Sequence, residues 1–429
     1  MRNCGGGFFH RQETENLYSD TQALTLRTHS RPAVRTAMGE VAIIVGFMSY
    51  YVPADYAVPS FVRIAWQACA ILTSIFGGIM LLASKRINRH SASILAYYFY
   101  WYIALRLVGG NYSMMKCMGH FAFDAGFFAF LEYLLQTRDT KTVMKYFLIA
   151  GVAITTIHFA TFLMHMGTGM LEDTPIYRGG KFVGFITYEW YFLKHDNGSI
   201  YYLIPIIVLL FYYSVYYSAE AFVYFTAYSA FVLFMFYYNM SATAIVASTY
   251  LVGILVYLLF VRRNSKNIPR LLYSCKFSVA AGIIADITPL MIVGSSAVKS
   301  IVAMFGKSVT FSGRDRVWAR SALHFLRSPI YGLGIEDDIT TTVKIGINHC
   351  HNLVLENLYR GGIIALILFL FMLKMYFPPK PNKYKCAIFC AGIVSYFITA
   401  AFDWYYYYPL PLSMFVFNYY VNKEDNISR

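Results

Sequence analysis

The chain has 429 residues, 58% of them hydrophobic and 14% charged, where soluble domains carry about 25% charged residues; a soluble globular enzyme is excluded. Thirty-six Lys and Arg against 22 Asp and Glu leave a net charge of +14, which in a soluble chain would point to nucleic acid. Apolar runs of membrane length recur along nearly the whole sequence, so this charge has to be read against a bilayer instead, and no nucleic-acid partner is expected.

The first forty residues carry a Cys-Gly-Gly-Gly run and scattered arginines, with no apolar core leading to a small-residue cleavage site. They read as a disordered cytoplasmic tail (1–40) rather than a cleaved signal peptide, and Met38, just before the first apolar run, is an alternative start to Met1. From 41 to 429 a single integral-membrane domain is expected, all-α, with about twelve spans. These run near Val41 to Val52, Phe61 to Ala83, Ser93 to Val108, Gly119 to Leu135, Tyr146 to Met166 and Tyr201 to Tyr217. Further spans follow near Phe222 to Met240, Ala242 to Val261, Phe277 to Val293, Leu353 to Phe377, Cys386 to Ala401 and Tyr405 to Val421. The sixth and seventh are nearly continuous, so their hairpin is the weakest boundary.

Lys and Arg in short loops mark the cytoplasmic side. Every second loop is basic: Lys85, Arg86 and Arg89; then Arg138, Lys141 and Lys145; then Arg262, Arg263, Lys266, Arg270 and Lys276; then Lys374, Lys380, Lys383 and Lys385. The short outer loops hold almost none. The expectation is a multi-pass protein with both termini cytoplasmic. Two long loops fall outside, at 167–200 and 294–352, each expected to carry short helices. The first contains Arg178, Lys181, Glu189, Lys194 and His195. The second contains Lys299, Lys307, Arg314, Arg316, Arg320, Arg327 and Lys344, and positive charge on that side needs a reason other than topology.

Within the second loop, the stretch from Ser312 to Pro329 predicts a helix, with Asp315 three residues after Ser312 as a capping-box-like start and Pro329 as the stop. Helical spacing puts Arg316, Arg320, Leu323 and Arg327 near one stripe and Trp318, Ala322 and Phe325 on another. Such a helix can lie on the outer membrane surface with its aromatic side in lipid. Two readings of the arginines stay open: a grip on anionic headgroups, or a hold on a diphosphate through bidentate guanidinium forks. Arg314, at the helix start, is the one best placed to point toward a site.

After the Gly332-Leu-Gly334 turn comes Asn348-His-Cys-His-Asn352, then Glu356, Arg360 and Gly361-Gly362 leading into a span. Polar groups at the mouth of a span are costly unless used or paired. If the segment is extended, His349 and His351 face the same way, and Asn352, Glu356 and Arg360 follow along one helical face. Glu356 and Arg360 read either as an ordinary helix ion pair or as groups tuning a histidine. The histidines read either as a metal pair, with Glu336, Asp337 and Asp338 as further ligands, or as a general base taking a proton from a hydroxyl. The base fits the spacing better, and neither a metal nor a cofactor is expected.

Elsewhere in the spans, His120 and Asp124 sit four apart and most simply satisfy each other, while His158, His165 and Asp286 stand alone. Seven cysteines show no metal spacing. Cys117 and Cys350 lie near the outer face, where a disulfide and buried free thiols are both open. No P-loop and no Gly-rich dinucleotide signature appears.

The stretch Ser312-Gly-Arg314, Trp318, Ser328-Pro-Ile-Tyr-Gly332-Leu-Gly334, His351-Asn352, Leu355-Glu356 and Gly361-Gly362 resembles the O-antigen ligase and O-antigen polymerase superfamily, over roughly Phe311 to Leu373. The resemblance implies a membrane glycosyltransferase acting at the periplasmic face of the bacterial inner membrane on a glycan carried by undecaprenyl diphosphate. The acceptor would be another lipid-linked repeat unit (polymerase) or the lipid A core (ligase), and the product an O-antigen or another surface polysaccharide. It implies His351 as the essential histidine, assisted by Glu356 or His349. Arg314 would be the arginine at the donor diphosphate, with Arg316, Arg320 or Arg178 beside it and Asn352 and Trp318 as further substrate contacts. The expected reaction is inverting and needs no metal; the expected partners are the lipid-linked oligosaccharide, the bilayer, and chain-length regulator and flippase proteins. The family commonly has a Ser-Arg or Thr-Arg pair at the outer start of the eighth span, where this chain reads Asn239-Met-Ser-Ala-Thr243; that departure tilts the reading toward a polymerase. A non-enzymatic flippase or transporter is the remaining alternative, against which stand the lack of an internal repeat and the gathering of polar groups at one outer site.

Overall fold

The computed structural model describes residues 33–54, 57–166, 169–178, 181–194, 196–264, 266–292, 313–402 and 409–427. The chain divides into two units, Met1–Val45 and Gly46–Arg429. Of the expected tail, residues 1–32 lie outside the described ones. Residues 33–40 form the first turns of helix α1 (Ala33–Ser49).

The larger unit is built of helices: α2 (Ser60–Ala83), α3 (Arg89–Phe99, extended by a π-helical turn Tyr100–Ala104 and a last turn Leu105–Val108), α4 (Met114–Thr137) and α5 (Thr140–Met164). After a hairpin come α6 (Asp196–Tyr216), α7 (Ala221–Tyr238), α8 (Ala242–Arg263), α9 (Cys275–Ile292), α10 (Arg314–Arg327), α11 (Asp338–Ile345), α12 (Leu353–Met375), α13 (Lys383–Ala400) and α14 (Ser413–Ile427). Among the described residues, six helices are long and apolar enough to cross a membrane: α2, α5, α6 from Gly198, α7, α8 and α12. The sixth and seventh apolar runs are two helices, broken at Tyr217–Glu220.

The first long outer loop departs from the expected short helices. It forms an antiparallel pair, β1 (Met170–Arg178) and β2 (Lys181–Trp190), with Met170 opposite Trp190, Arg178 opposite Lys181 and an irregularity at Ile176/Tyr177. The β2 stretch Phe182-Val-Gly-Phe-Ile-Thr-Tyr188 is rich in aromatic and β-branched residues, which suit strands.

Hydrogen bonds sort the helix ends into two sets that follow the loop alternation. At one end His90 meets the Met375 carbonyl (2.7 Å), the Thr140 amide donates to Glu424 (2.9 Å) and Tyr384 donates to the Leu258 carbonyl (3.0 Å). Near that end Glu132 is fully buried and accepts from Tyr376, Tyr420 and Gln136, binding α4, α12 and α14 together. At the other end the Ala54 amide donates to the Phe192 carbonyl (2.8 Å), Tyr191 to Asn239 (3.2 Å) and Asn111 to Asp337 (2.9 Å).

The second end owes its shape to a break in α12. Gly362 adopts φ 61° and ψ −163°, outside the helical region. The break frees backbone groups that a lipid environment would not satisfy, and the segment Pro329–Gly334 takes them up. Leu333 and Gly334 donate to the Tyr359 and Arg360 carbonyls (2.9 and 2.8 Å), and Ile363 donates back to the Pro329 carbonyl (2.9 Å). The Pro-x-x-Gly-x-Gly turn and the Gly-Gly pair are thus two halves of one backbone splice. A Cβ on Gly362 would lie 2.2 Å from the Ile330 oxygen, and one on Gly332 2.4 Å from the Arg360 carbonyl. Gly362→Ala therefore adds a steric overlap to about 1–3 kcal/mol of backbone strain. The expected result is a protein that inserts but melts several degrees lower in detergent, read by a thermal-shift assay against Gly78→Ala, where a Cβ meets open space.

Candidate functional site

Helix α10 begins at Arg314 after Gly313, whose φ is 87°; Ser312, expected as its cap, lies outside the described residues. The helix ends at Arg327, just before Ser328 and Pro329, as the sequence predicts. The expected aromatic stripe is split: Trp318 faces inward, while Ala322 is exposed and Phe325 half-buried. Val317, Trp318 and Ser321 are buried, whereas Arg316, Arg320, Leu323 and Arg327 are exposed. Trp318 packs with Val317, Ile345, Cys350, Leu355 and Tyr359, and its indole N–H donates to the Cys350 carbonyl (3.0 Å). A buried indole needs an acceptor for its N–H, and the histidine-bearing loop supplies one.

That loop, Asn348–Asn352, is pinned peptide by peptide. The Asn348 carbonyl accepts from Arg360 (3.0 Å), the Cys350 amide donates to Glu356 (2.6 Å), and the Cys350 carbonyl accepts from Trp318. Arg360 and Glu356, both fully buried, form an ion pair one helical turn apart, and Arg360 also donates to the Glu336 carbonyl. Glu336 in turn accepts from Tyr359 and pairs with Lys344.

Asn352 caps α12, accepting from the Leu355 amide (2.9 Å) and donating to the carbonyls of Asp286 (2.7 Å) and Ala401 (3.1 Å). Asp286 adds a second cap, accepting from the Val354 amide (2.8 Å). Carboxylate and amide acceptors at a helix N-terminus satisfy otherwise orphaned N–H groups.

The two histidines are brought together. Their ring centroids are 3.9 Å apart with the planes at 47°. The segment is not the extended strand that the alternation argument assumed: His351 has φ 53°, a left-handed conformation a non-glycine residue rarely adopts. His349 is buried and its Nδ1 lies 2.7 Å from Asn348 Oδ1; His351 is half-buried. Between them, burial pushes the Cys350 thiol well above its usual range, and it donates to Ser321 (3.1 Å). A thiol so held is no nucleophile, which leaves the imidazoles as the reactive groups of the triplet.

Arg320 lies against Gly346, where a Cβ would come within 3.3 Å of its Nη1, so this cation borders the loop leading to the histidines. Arg314 is half-buried at the α10 start and Arg316 exposed beside it. Arg178 stands at the tip of β1; its side chain lies outside the described residues. Trp318 and Asn352, expected as substrate contacts, have their polar atoms engaged within the protein and hold the loop instead. Glu356 likewise has one oxygen on Cys350 and the other on Arg360, which makes it a brace of the histidine loop.

The acidic run is otherwise employed. Asp337 caps α11 by accepting from the Thr340 amide (2.7 Å), a bond that lowers its pKa. Among the described residues, no group of three or more His, Cys, Asp or Glu side chains is arranged to hold a metal ion. Cys117 and Cys350 are free thiols. His120 and Asp124 do not pair: Asp124 accepts from Tyr102, and His120 Nε2 is 3.3 Å from the Tyr112 hydroxyl while its ring stacks on Tyr102. His158 accepts from the Leu193 amide (3.2 Å), fixing the chain after the hairpin. In place of a Ser-Arg or Thr-Arg pair, the turn between α7 and α8 presents Asn239 to Tyr191.

Of Arg360 the spacing disclosed the pair with Glu356 but not its hold on the Asn348 and Glu336 carbonyls. The capping role of Asp286 it did not disclose, though the signal was present: a lone carboxylate in an apolar helix requires a partner.

The apolar helices are those of a membrane protein, with the histidine loop and α10 packed together at one end of the helices. Residues 227–370 match the family model described as O-Antigen ligase, from within α7 to within α12. The match supports the O-antigen ligase and polymerase superfamily and encloses the whole site except Arg178. No curated protein and no solved structure matches the chain.

Fixing the Cys350 carbonyl has a measurable consequence. Trp318→Phe keeps the ring in the buried cluster but removes the donor, leaving a buried acceptor unmet at about 1–2 kcal/mol. Thermal stability should fall by that modest amount, while Val317→Ala, a pure packing change in the same cluster, should lower stability without loosening the loop. Hydrogen exchange at 348–351 separates the two.

Proposed function

We propose that the protein is a membrane glycosyltransferase that polymerises surface polysaccharide repeat units, taking its donor glycan from undecaprenyl diphosphate at the periplasmic face of the inner membrane. The alternation of basic and non-basic loops in the sequence supports placing α10, α11 and the histidine loop on that face. The observation that carries the reading is the histidine loop itself. Three of its backbone groups are held by buried Arg360, Glu356 and Trp318 in a strained conformation that turns two imidazoles toward each other beside a cationic helix. Strain sustained by so many partners is a mark of a functional position.

A diphosphate is already a good leaving group, so the residues needed are a base and a set of cations. His351 takes the proton from the acceptor hydroxyl as that oxygen bonds to the anomeric carbon. The bond from that carbon to the diphosphate oxygen breaks, and undecaprenyl diphosphate leaves with the electron pair. Arg314, Arg316 and Arg320, with Arg178 as the candidate from the first outer loop, stabilise the developing negative charge. His349 steadies His351 through ring contact, while Glu356 acts through the loop backbone. Direct displacement inverts the anomeric centre, and no step calls on a metal.

A ligase that passes the finished glycan to lipid A core shares this chemistry and differs in acceptor; Asn239 standing where the family's paired arginine falls favours the polymerase. Purified protein given a lipid-diphosphate glycan should release free undecaprenyl diphosphate, which a flippase would not do. In a deletion strain, a single repeat on the core identifies the polymerase; a bare core with accumulated lipid-linked polymer identifies the ligase.

A further inference from the structure

The exposed arc of α10 is divided lengthwise. At about 100° per residue, Ala319, Ala322 and Leu326 fall on one flank and Arg316, Arg320 and Arg327 on the other, with Leu323 on the border between them, all exposed. Leu323 and Leu326 are 62% and 69% exposed, a large outlay of apolar surface on a helix whose opposite side already packs on the histidine loop. A helix with an apolar flank beside a cationic one suits the boundary between acyl chains and phosphates.

The apolar flank does not end at the helix. It runs through exposed Ile330 and Tyr331 to the break in α12, where the Pro329 and Ile330 carbonyls accept from the Ile363 and Ile364 amides. From there it continues down α12 through Ile363, Ile367 and Phe371, all exposed and spaced four apart. Since α12 is long and apolar enough to cross a membrane, that lower stripe is a lipid face. Leu326, and Ile330 just beyond the helix, bring the apolar side of α10 to the head of that stripe, with Arg327 beside them.

We infer that the outward flank of α10 is seated in the outer leaflet, with Leu323, Leu326, Ile330 and Tyr331 on acyl chains and Arg327 on the phosphate of an anionic phospholipid. Because Trp318, on the opposite side of α10, holds the Cys350 carbonyl, this seat fixes the histidine loop at headgroup depth. The inference concerns the bilayer and does not depend on which reaction the site performs.

The test is photocrosslinking in the full chain. p-Benzoyl-phenylalanine replaces Leu323, Leu326 or, as the in-membrane reference, Ile367, with the protein in nanodiscs of phosphatidylcholine with or without phosphatidylglycerol. All three side chains are exposed, so the probe removes no core packing. Phospholipid adducts at 323 and 326, at yields within a few-fold of Ile367, are expected. Phosphatidylglycerol should be over-represented several-fold in the adducts at 326, and Arg327→Gln should abolish that preference. Adducts at Ile367 but none at 323 or 326 would overturn the proposal. So would adducts at 326 made up of a co-purified polyprenyl diphosphate rather than phospholipid, since the flank would then be a substrate groove. Neither result depends on whether the protein turns over a donor glycan.

Discussion

His351→Ala abolishes release of undecaprenyl diphosphate from a lipid-linked glycan while the protein stays in the membrane at unchanged abundance. General-base catalysis contributes about 10²–10⁴-fold, and an alanine has nothing to return in its place. The ring is only half-buried and lies outside the buried cluster around Trp318, so most of the stability should hold. His351→Gly is the sharper control: glycine favours the φ of 53° found here, so a loss equal to that of alanine assigns the effect to the imidazole and not to the backbone. His349→Ala should cost less, about tenfold, because its contact with His351 is ring to ring and restricts the neighbour without replacing it. Wild-type turnover by His351→Ala would remove the histidine from the reaction and with it the proposed function.

Much of this site was legible in the sequence because polar residues at the mouth of an apolar run are conspicuous. Arg314, His349, His351, Glu356 and Arg360 stand out in that setting whatever they do. What spacing could not supply was direction. A helical period separates the stripe of Arg316, Arg320 and Leu323 from that of Trp318, yet either could have faced inward; the choice was made by the indole N–H, which needed the Cys350 carbonyl some thirty residues away in sequence. Reading Glu356 as an assistant to the histidine and Asn352 as a substrate contact left out a similar long-range demand, that of a loop whose backbone had to be paired. The α1 boundary and the β-hairpin were hidden for a different reason. Both lie in charged, outwardly loop-like text, where local propensity acts without the strong apolar period that marks the spans. In the pairing of His120 with Asp124, four-residue spacing was correct as geometry, but a nearer hydroxyl on Tyr102 won.

Breaking the ion pair beneath the site should be the most damaging change to stability. Glu356→Ala leaves the Arg360 guanidinium buried without its carboxylate and the Cys350 amide without an acceptor. Removing one partner of a buried pair costs about 3–5 kcal/mol, enough to lower the melting temperature markedly. Arg360→Met strands Glu356 in the same way, though the Cys350 amide still stabilises it, so its loss should be the smaller of the two. The double variant Glu356→Leu with Arg360→Met removes both charges and should recover part of the stability, since the stranded charge is gone while the backbone groups the pair served stay unmet. Activity should not recover with it. The Asn348 carbonyl and the Cys350 amide would still lack the partners that hold the histidine loop, and turnover depends on imidazole geometry held to a fraction of an ångström. Thermal stability and donor turnover, measured on the two single variants and the double, therefore separate the two duties of the pair. A double variant as active as the wild type would mean that the loop keeps its shape without Glu356 and Arg360, and that the pair serves the fold alone.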